Sequence, residues 1–447
     1  MKKVITYGTY DLLHYGHINL LKRAKELGDY LIVGVTSDDF DKARGKINVQ
    51  QSLMERIDAV KATGLADEII IEEYEGQKID DIQKYDVDVF TVGSDWKGKF
   101  DYLKEYCKVI YLERTKGISS SQIRENQSFI RLGFVGDVSM LKKYFNEIRF
   151  VNGVQLVAAY LTNNDLNIED IQVYSSYEKL LDVCDAILIE SAPQDHYPQI
   201  KKALLHNIHV LCESPLALSV EEANELFELS KKKKLILMDA IKTAYSTAYS
   251  RLLLLVKTGI IGQIVSVDAT CTSKRELDLA NNDYNKLSWN SICGWGPTAL
   301  LPVFQIYGTE PIDTQIISMI IDKKKAFDLF TKINFLFSRG TASIKVGKGV
   351  KSEGDLVITG TKGYIYVPAP WWKTDYYEIR YENVEDKKRF FYQLDGEGIR
   401  YELISFIQAI KGLRSTNNIS KDCSIAIISI IEQFYKNELS VLINESN

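Results

Sequence analysis

Short apolar blocks of strand length alternate with stretches in which apolar residues return every three or four positions. Residues 4–7 read as a buried strand. Residues 16–27 carry Ile18, Leu20, Leu21, Ala24 and Leu27 at helical spacing and stop at Gly28, which suits the position after a helix. Residues 30–36 form the next strand and 52–63 a helix ending at Gly64. Further strands fall at 68–71, 87–92 and 109–112, with helices near 78–84 and 99–105. Such alternation predicts a parallel sheet covered on both faces.

The pattern breaks near residues 125–128 and restarts. Strands are expected at 130–135, 156–161, 186–189, 209–212 and 235–238. A helix at 220–230 opens on a capping box made by Ser219 and Glu222. From about residue 262 the pattern turns strand-rich, at 264–272, 313–321, 331–337, 342–346 and 355–359, which suits a mostly antiparallel sheet. Helices at 397–411 and 426–437 follow. The chain therefore reads as α/β: a Rossmann-like parallel-sheet domain over 1–127, a second Rossmann-like domain over 130–245, and an α+β domain with an open, mostly antiparallel sheet over 246–447. No low-complexity linker or internal repeat separates them.

Composition narrows the class. The chain has 447 residues, 45% hydrophobic and 26% charged, with a net charge of −5. A small negative charge gives no reason to expect a nucleic-acid surface. The lysine runs at 231–234 and 323–325 read as solvated ends. The six cysteines form no Cys-x-x-Cys pair and read as reduced, mostly buried thiols of a cytoplasmic protein rather than zinc ligands. The chain enters a strand at once, with no signal peptide, and the apolar run at 252–256 is too short for membrane insertion.

Two of only five histidines, His14 and His17, lie between the first strand and the first helix, in Gly8-Thr9-Tyr10-Asp11-Leu12-Leu13-His14-Tyr15-Gly16-His17. In an open parallel sheet, ligands bind beyond the carboxyl ends of the strands. A helix start there offers unpaired amides and a positive dipole end to phosphate. Gly8 and Gly16 let backbone approach a ligand, and both imidazoles could face a triphosphate.

This segment resembles the Gly-Thr-Phe-Asp-x-x-His-x-Gly-His signature of the cytidylyltransferase superfamily, with Tyr10 in place of Phe. A second signature, Arg-Thr-x-Gly-x-Ser-Thr-Thr, is matched by Arg114-Thr115-Lys116-Gly117-Ile118-Ser119-Ser120-Ser121. Residues 92–101 resemble the glycerol-phosphate branch of the family. The resemblance implies attack of a phosphate oxygen on the α-phosphorus of CTP, giving a CDP-alcohol and pyrophosphate. It assigns His14, His17, Lys46 and Arg114 to catalysis. Gly8, Thr9, Tyr10, Gly16, Asp95, Thr115, Gly117, Ser119, Ser120 and Ser121 join them around the nucleotide, and Asp95 has helix capping as its alternative role. Arg44, Arg56 and Lys78 would hold the acceptor phosphate, with Arg44 where the branch usually has Lys. Magnesium would ride on the triphosphate, with Asp11 helping to order it. The implied partners are CTP and a small polyol phosphate, glycerol 3-phosphate first, for a teichoic-acid-like or capsular polymer.

Residues 130 to about 435 resemble the Gfo/Idh/MocA oxidoreductases, through 130–138, 207–217 and 257–264. The functional positions depart from that pattern. The dinucleotide fingerprint reads Gly136-Asp137-Val138-Ser139-Met140-Leu141 and keeps one glycine. The second strand ends without the acid expected for ribose. Glu-Lys-Pro is Glu213-Ser214-Pro215, and the later Asp/His motif is Gly296-Pro297-Thr298-Ala299-Leu300-Leu301-Pro302. NAD(P) is therefore not expected, and the half reads as a retired oxidoreductase fold kept as a dimerisation platform, a substrate-holding cleft or a regulatory sensor, with homo-oligomer formation implied by the family. Lys242, just after the strand end at 238–240, reads as a surface residue, with a place facing the old cleft as the alternative. The alternatives are a bifunctional enzyme with an active NAD(P)-dependent half, or a nucleotide sensor or scaffold without catalysis.

Overall fold

A computed structural model describes residues 1–43, 49, 51–74, 76–113, 129–151, 153–161, 171–274, 289–322, 327–392, 394, 396–412, 419–436 and 440–442. The chain divides into two compact units, residues 1–128 and 129–447.

In the first unit, β1 (Lys3–Gly8), β2 (Tyr30–Thr36), β3 (Glu68–Glu72), β4 (Val89–Gly93) and β5 (Lys108–Leu112) form a parallel sheet in the order β3-β2-β1-β4-β5. The helices are α1 (Tyr15–Lys25), α2 (Asp38–Ala43), α3 (Leu53–Ala62) and α4 (Gln77–Tyr85). Successive residues of β1 point to opposite faces. Val4 joins one core with Leu21, Ala24 and Val60. Ile5 and Tyr7 join the other with Ile82, Phe90 and Leu103. Each such buried side chain contributes about 1.5–3 kcal/mol. The expected helix at 99–105 is only a 3-10 turn, Asp101–Glu105, because Phe100 before it offers no capping side chain.

In the second unit, β6 (Ile130–Gly136), β7 (Val154–Leu161), β8 (Gln172–Tyr174), β9 (Ala186–Glu190), β10 (His209–Cys212) and β11 (Leu237–Asp239) form a second parallel sheet, ordered β11-β10-β9-β6-β7-β8. This is the doubly wound order whose switch point, here between β6 and β9, is a ligand crevice. The helices are α5 (Val138–Ile148), α6 (Tyr177–Leu181), α7 (Pro193–Leu205), α8 (Val220–Lys233), α9 (Thr247–Lys257), α10 (Ser291–Tyr307), α11 (Ile399–Ile410) and α12 (Lys421–Tyr435). A nine-stranded sheet completes the unit. It is antiparallel except where Ile264–Thr272 pairs with Gly340–Gly347 and Asp313–Asp322 with Ser440–Leu442. Helix α10 runs through Pro297 and Pro302. Its start is held by the Asn290 side chain on Cys293 N and by Asp328 Oδ1 on Ser291 N and Ile292 N. Burial of Ile292, Ala299, Leu300 and Leu301 outweighs the missing N–H donors. Helix α12 begins at Lys421, earlier than its apolar pattern, because Ser420 caps Cys423 N. Among the described residues no helix is long and apolar enough to cross a membrane.

Candidate active site

The loop after β1 is bent sharply. Tyr10 (φ 54°) and Leu12 (φ 47°) both adopt the left-handed conformation, at a strain of about 1–3 kcal/mol each for residues with a Cβ. Neighbouring groups hold it there. Arg56, fully buried, donates from Nη1 to the Thr9 and Thr36 carbonyls at 2.7 and 2.8 Å, and from Nη2 to Asp38. Gln51 Oε1 accepts from Leu12 N at 2.7 Å, while the Gln51 backbone N–H donates to Asp11 Oδ1 at 2.9 Å. Thr9 Oγ1 donates to Asp41 at 2.9 Å. A Cβ on Gly8 would lie only 3.0 Å from the buried Tyr10 ring, so glycine fits this approach.

The latched loop delivers two imidazoles to the head of α1. His14 is the N-cap, its Nδ1 accepting from Gly16 N at 3.1 Å. In the neutral ring Nε2 then carries the hydrogen and is the donor. His17 stacks on His14 with centroids 3.9 Å apart, and meets Tyr10 edge-on at 5.6 Å. The site thus combines α1 amides with a paired imidazole face, at the carboxyl edge of a parallel sheet. Strand β5 ends on the same edge, and Arg23 of α1 donates to the Glu113 carbonyl just beyond it at 2.7 Å. Arg114, Thr115, Gly117, Ser119, Ser120 and Ser121 follow directly. They lie outside the described residues, as do Arg44, Lys46 and the Asp95 side chain.

A cavity of about 50 Å³ opens beside Gly8, lined by Tyr7, Thr36, Glu72, Lys78 and Trp96 among others. The buried Lys78 ammonium pairs with Glu72 and lies 4.7 Å from the Tyr7 ring and 5.5 Å from that of Phe100. Tyr7 donates to Asp81 at 2.8 Å. Burial, then this bond, raises the Tyr7 phenol far above its usual range. Of the sequence-predicted residues, Gly8, Thr9, Tyr10, Asp11, His14, Gly16, His17 and Arg56 belong to one loop and its supports, and Lys78 to the adjoining cavity. Gln51, Glu72, Asp41 and Asp81 are newly found. Glu72 was the legible one, as an acid closing an apolar strand at the ligand edge.

In the second unit, the corresponding turn runs from β6 to α5. Gly136 has φ 155°, and Asp137 is the N-cap, its Oδ1 accepting from Ser139 N and Met140 N at 2.7 and 3.0 Å. Ser214 is buried. Lys242, expected at the surface, is half-buried and faces Glu190, Glu213 and Glu402, because the turn after β11 directs it into the crevice. Burial also lifts Asp239 to about 6, against bonds from Ser424 and Ser214.

Fold and motif define a nucleotidyltransferase in the first unit and an oxidoreductase-type fold in the second. The cytidylyltransferase-like family matches residues 5–126, and the oxidoreductase family with an NAD-binding Rossmann fold matches residues 130–240. The chain belongs to the cytidylyltransferase-like family. It is 56% identical over 128 residues to glycerol-3-phosphate cytidylyltransferase of Bacillus spizizenii, covering 29% of this chain and 98% of that one. The Staphylococcus aureus enzyme of the same name is 51% identical over 125 residues, 28% and 94% of the two chains. The remainder has the fold of a 3-ketoreductase from Actinomadura kijaniata, with a TM-score of 0.61, 15% identity, and coverage of 71% of this chain and 100% of that one.

Proposed function

We propose that the first unit transfers a cytidylyl group from CTP to a small polyol phosphate, glycerol 3-phosphate foremost, releasing pyrophosphate and CDP-glycerol. The observation that carries this is the stacked His14–His17 pair at the head of α1, on the edge where β5 ends. The names of the similar enzymes supply the nucleotide and the acceptor. The acceptor phosphate oxygen attacks the α-phosphorus, and the bond to pyrophosphate breaks. The His14 Nε2 hydrogen, with His17 beside it, bonds phosphate oxygens as charge shifts to the leaving group. Lys46 and Arg114 neutralise that charge. Thr115, Gly117, Ser119, Ser120, Ser121 and Asp95 complete the nucleotide site. Lys78 and Arg44 receive the acceptor, while Arg56 acts as a positioning residue through the Thr9 carbonyl. Among the described residues no three His, Cys, Asp or Glu side chains are grouped to hold a metal. A magnesium ion would be carried by the triphosphate, with Asp11 as its protein contact, and would neutralise phosphate charge.

For the second unit we favour a role without hydride transfer, as a platform for homo-oligomer formation in a cytoplasmic enzyme. Asp137 already occupies the α5 amides that a pyrophosphate would need, and it would repel one. The test mixes the full chain with each of the four nucleoside triphosphates, magnesium and a panel of polyol phosphates, and follows pyrophosphate. CTP with glycerol 3-phosphate is expected to turn over fastest. A different preferred pair would replace the substrate assignment, and no turnover would overturn the reading. Quenching of tryptophan fluorescence by NADH or NADPH would overturn the platform role.

A further inference from the structure

The crevice of the second unit holds an acid chain that nucleotidyl transfer does not use. Glu190 closes β9, Glu213 follows β10, Tyr144 lies on α5 and Glu402 on α11. Tyr144, Glu190 and Glu402 are buried, and Glu213 is half-buried. The Tyr144 hydroxyl lies 2.7 Å from Glu190 Oε1 and 2.8 Å from Glu402 Oε1, and burial, then the charge of Glu190, raises the Glu213 pKa. Each of the two Tyr144 contacts needs its own proton. Tyrosine brings one, so one of Glu190 and Glu402 supplies the other and is neutral. One negative charge remains, opposite Lys242.

An independent observation agrees. Glu402 Oε2 is buried without a hydrogen-bond partner among the described residues. A neutral carboxyl tolerates that far better than a carboxylate. Other titratable groups surround the chain: the charge of Asp137, at the head of α5, acts on Glu190, Cys212 lies within reach of Asp239, Glu190 and Glu213, and the Tyr245 phenol lies within reach of Asp239 and Glu402. Glu397, before α11, is in turn balanced by Lys373, Lys242 and Lys143.

We propose that Glu190, Tyr144 and Glu402 form a proton-dependent clasp that holds α11 against α5 and β9 and shuts the crevice. When base removes the shared proton, neighbouring carboxylates repel and the clasp opens. Burial raises all three glutamates, Glu402 to about 8. The folded form therefore keeps protons that the unfolded chain releases near 4.5. The clasp contributes fully below that pH and loses its contribution as pH rises to about 8.

Melting of the full chain, with hydrogen exchange followed in segments 138–148 and 399–410 and corrected for intrinsic rate, tests this. Between about pH 5 and about pH 8 the wild-type melting temperature of the second unit should fall by several degrees, and both segments should lose protection together. Glu402→Gln keeps a hydrogen-bonding amide but cannot titrate, and should make that slope measurably shallower, the rest coming from Glu190, Glu213 and Asp239. Equal slopes in the two proteins, or protection in 399–410 that ignores pH, would overturn the clasp. Should the variant not fold, the wild-type infrared band of protonated carboxyl groups decides: present at about pH 7 it supports the clasp, and absent it overturns it.

Discussion

The two crevices of this molecule occupy the same place in two similar sheets. Each lies beyond the carboxyl end of the first strand of its unit, where strand order reverses and a helix begins. In the first, the cap is His14, a neutral ring accepting one amide hydrogen. In the second, it is Asp137, a carboxylate accepting two. An imidazole leaves the helix head open to phosphate and offers a donor of its own, whereas a carboxylate supplies the anion itself. Under the proposed function, one residue at one topological position thus separates a phosphate site from a self-filled one.

The largest test of that contrast is His17→Ala. It should lower pyrophosphate release by about 100-fold or more while circular dichroism stays unchanged, and retained turnover would remove His17 from the chemistry. Arg56→Lys comes next. A lysine cannot reach two carbonyls and Asp38 together, so the loop loses its hold, and stability of the first unit should drop by about 3 kcal/mol in urea unfolding. An unchanged midpoint would show that Arg56 does not latch the loop. Asp137→Ala is the smallest. Loss of the cap should cost the second unit about 1 kcal/mol, read as a lower melting temperature, with pyrophosphate release untouched. If release falls instead, the two crevices are functionally linked.

Much of this was legible along the chain. Short apolar blocks between stretches of helical period marked most of the parallel strands of both units, and the His-Tyr-Gly-His turn marked the site, because strand, turn and helix there are local in sequence. Arg56 was legible as a cation but not as a buried latch. Its partners Thr9, Thr36 and Asp38 come from three segments that only the folded sheet brings together. Helix α10 was hidden for a related reason: its two prolines argue against a helix, and the packing that overrides them is tertiary.

By itself the sequence determined the order of elements, the histidine pair at a helix head and the erosion of the dinucleotide fingerprint, since each depends on residues a few positions apart. Only the tertiary structure decided where Lys242 points and that Tyr144 bridges Glu190 and Glu402, the latter 258 residues away. Burial and proton sharing arise when distant segments exclude water from one another, and no local pattern carries that information.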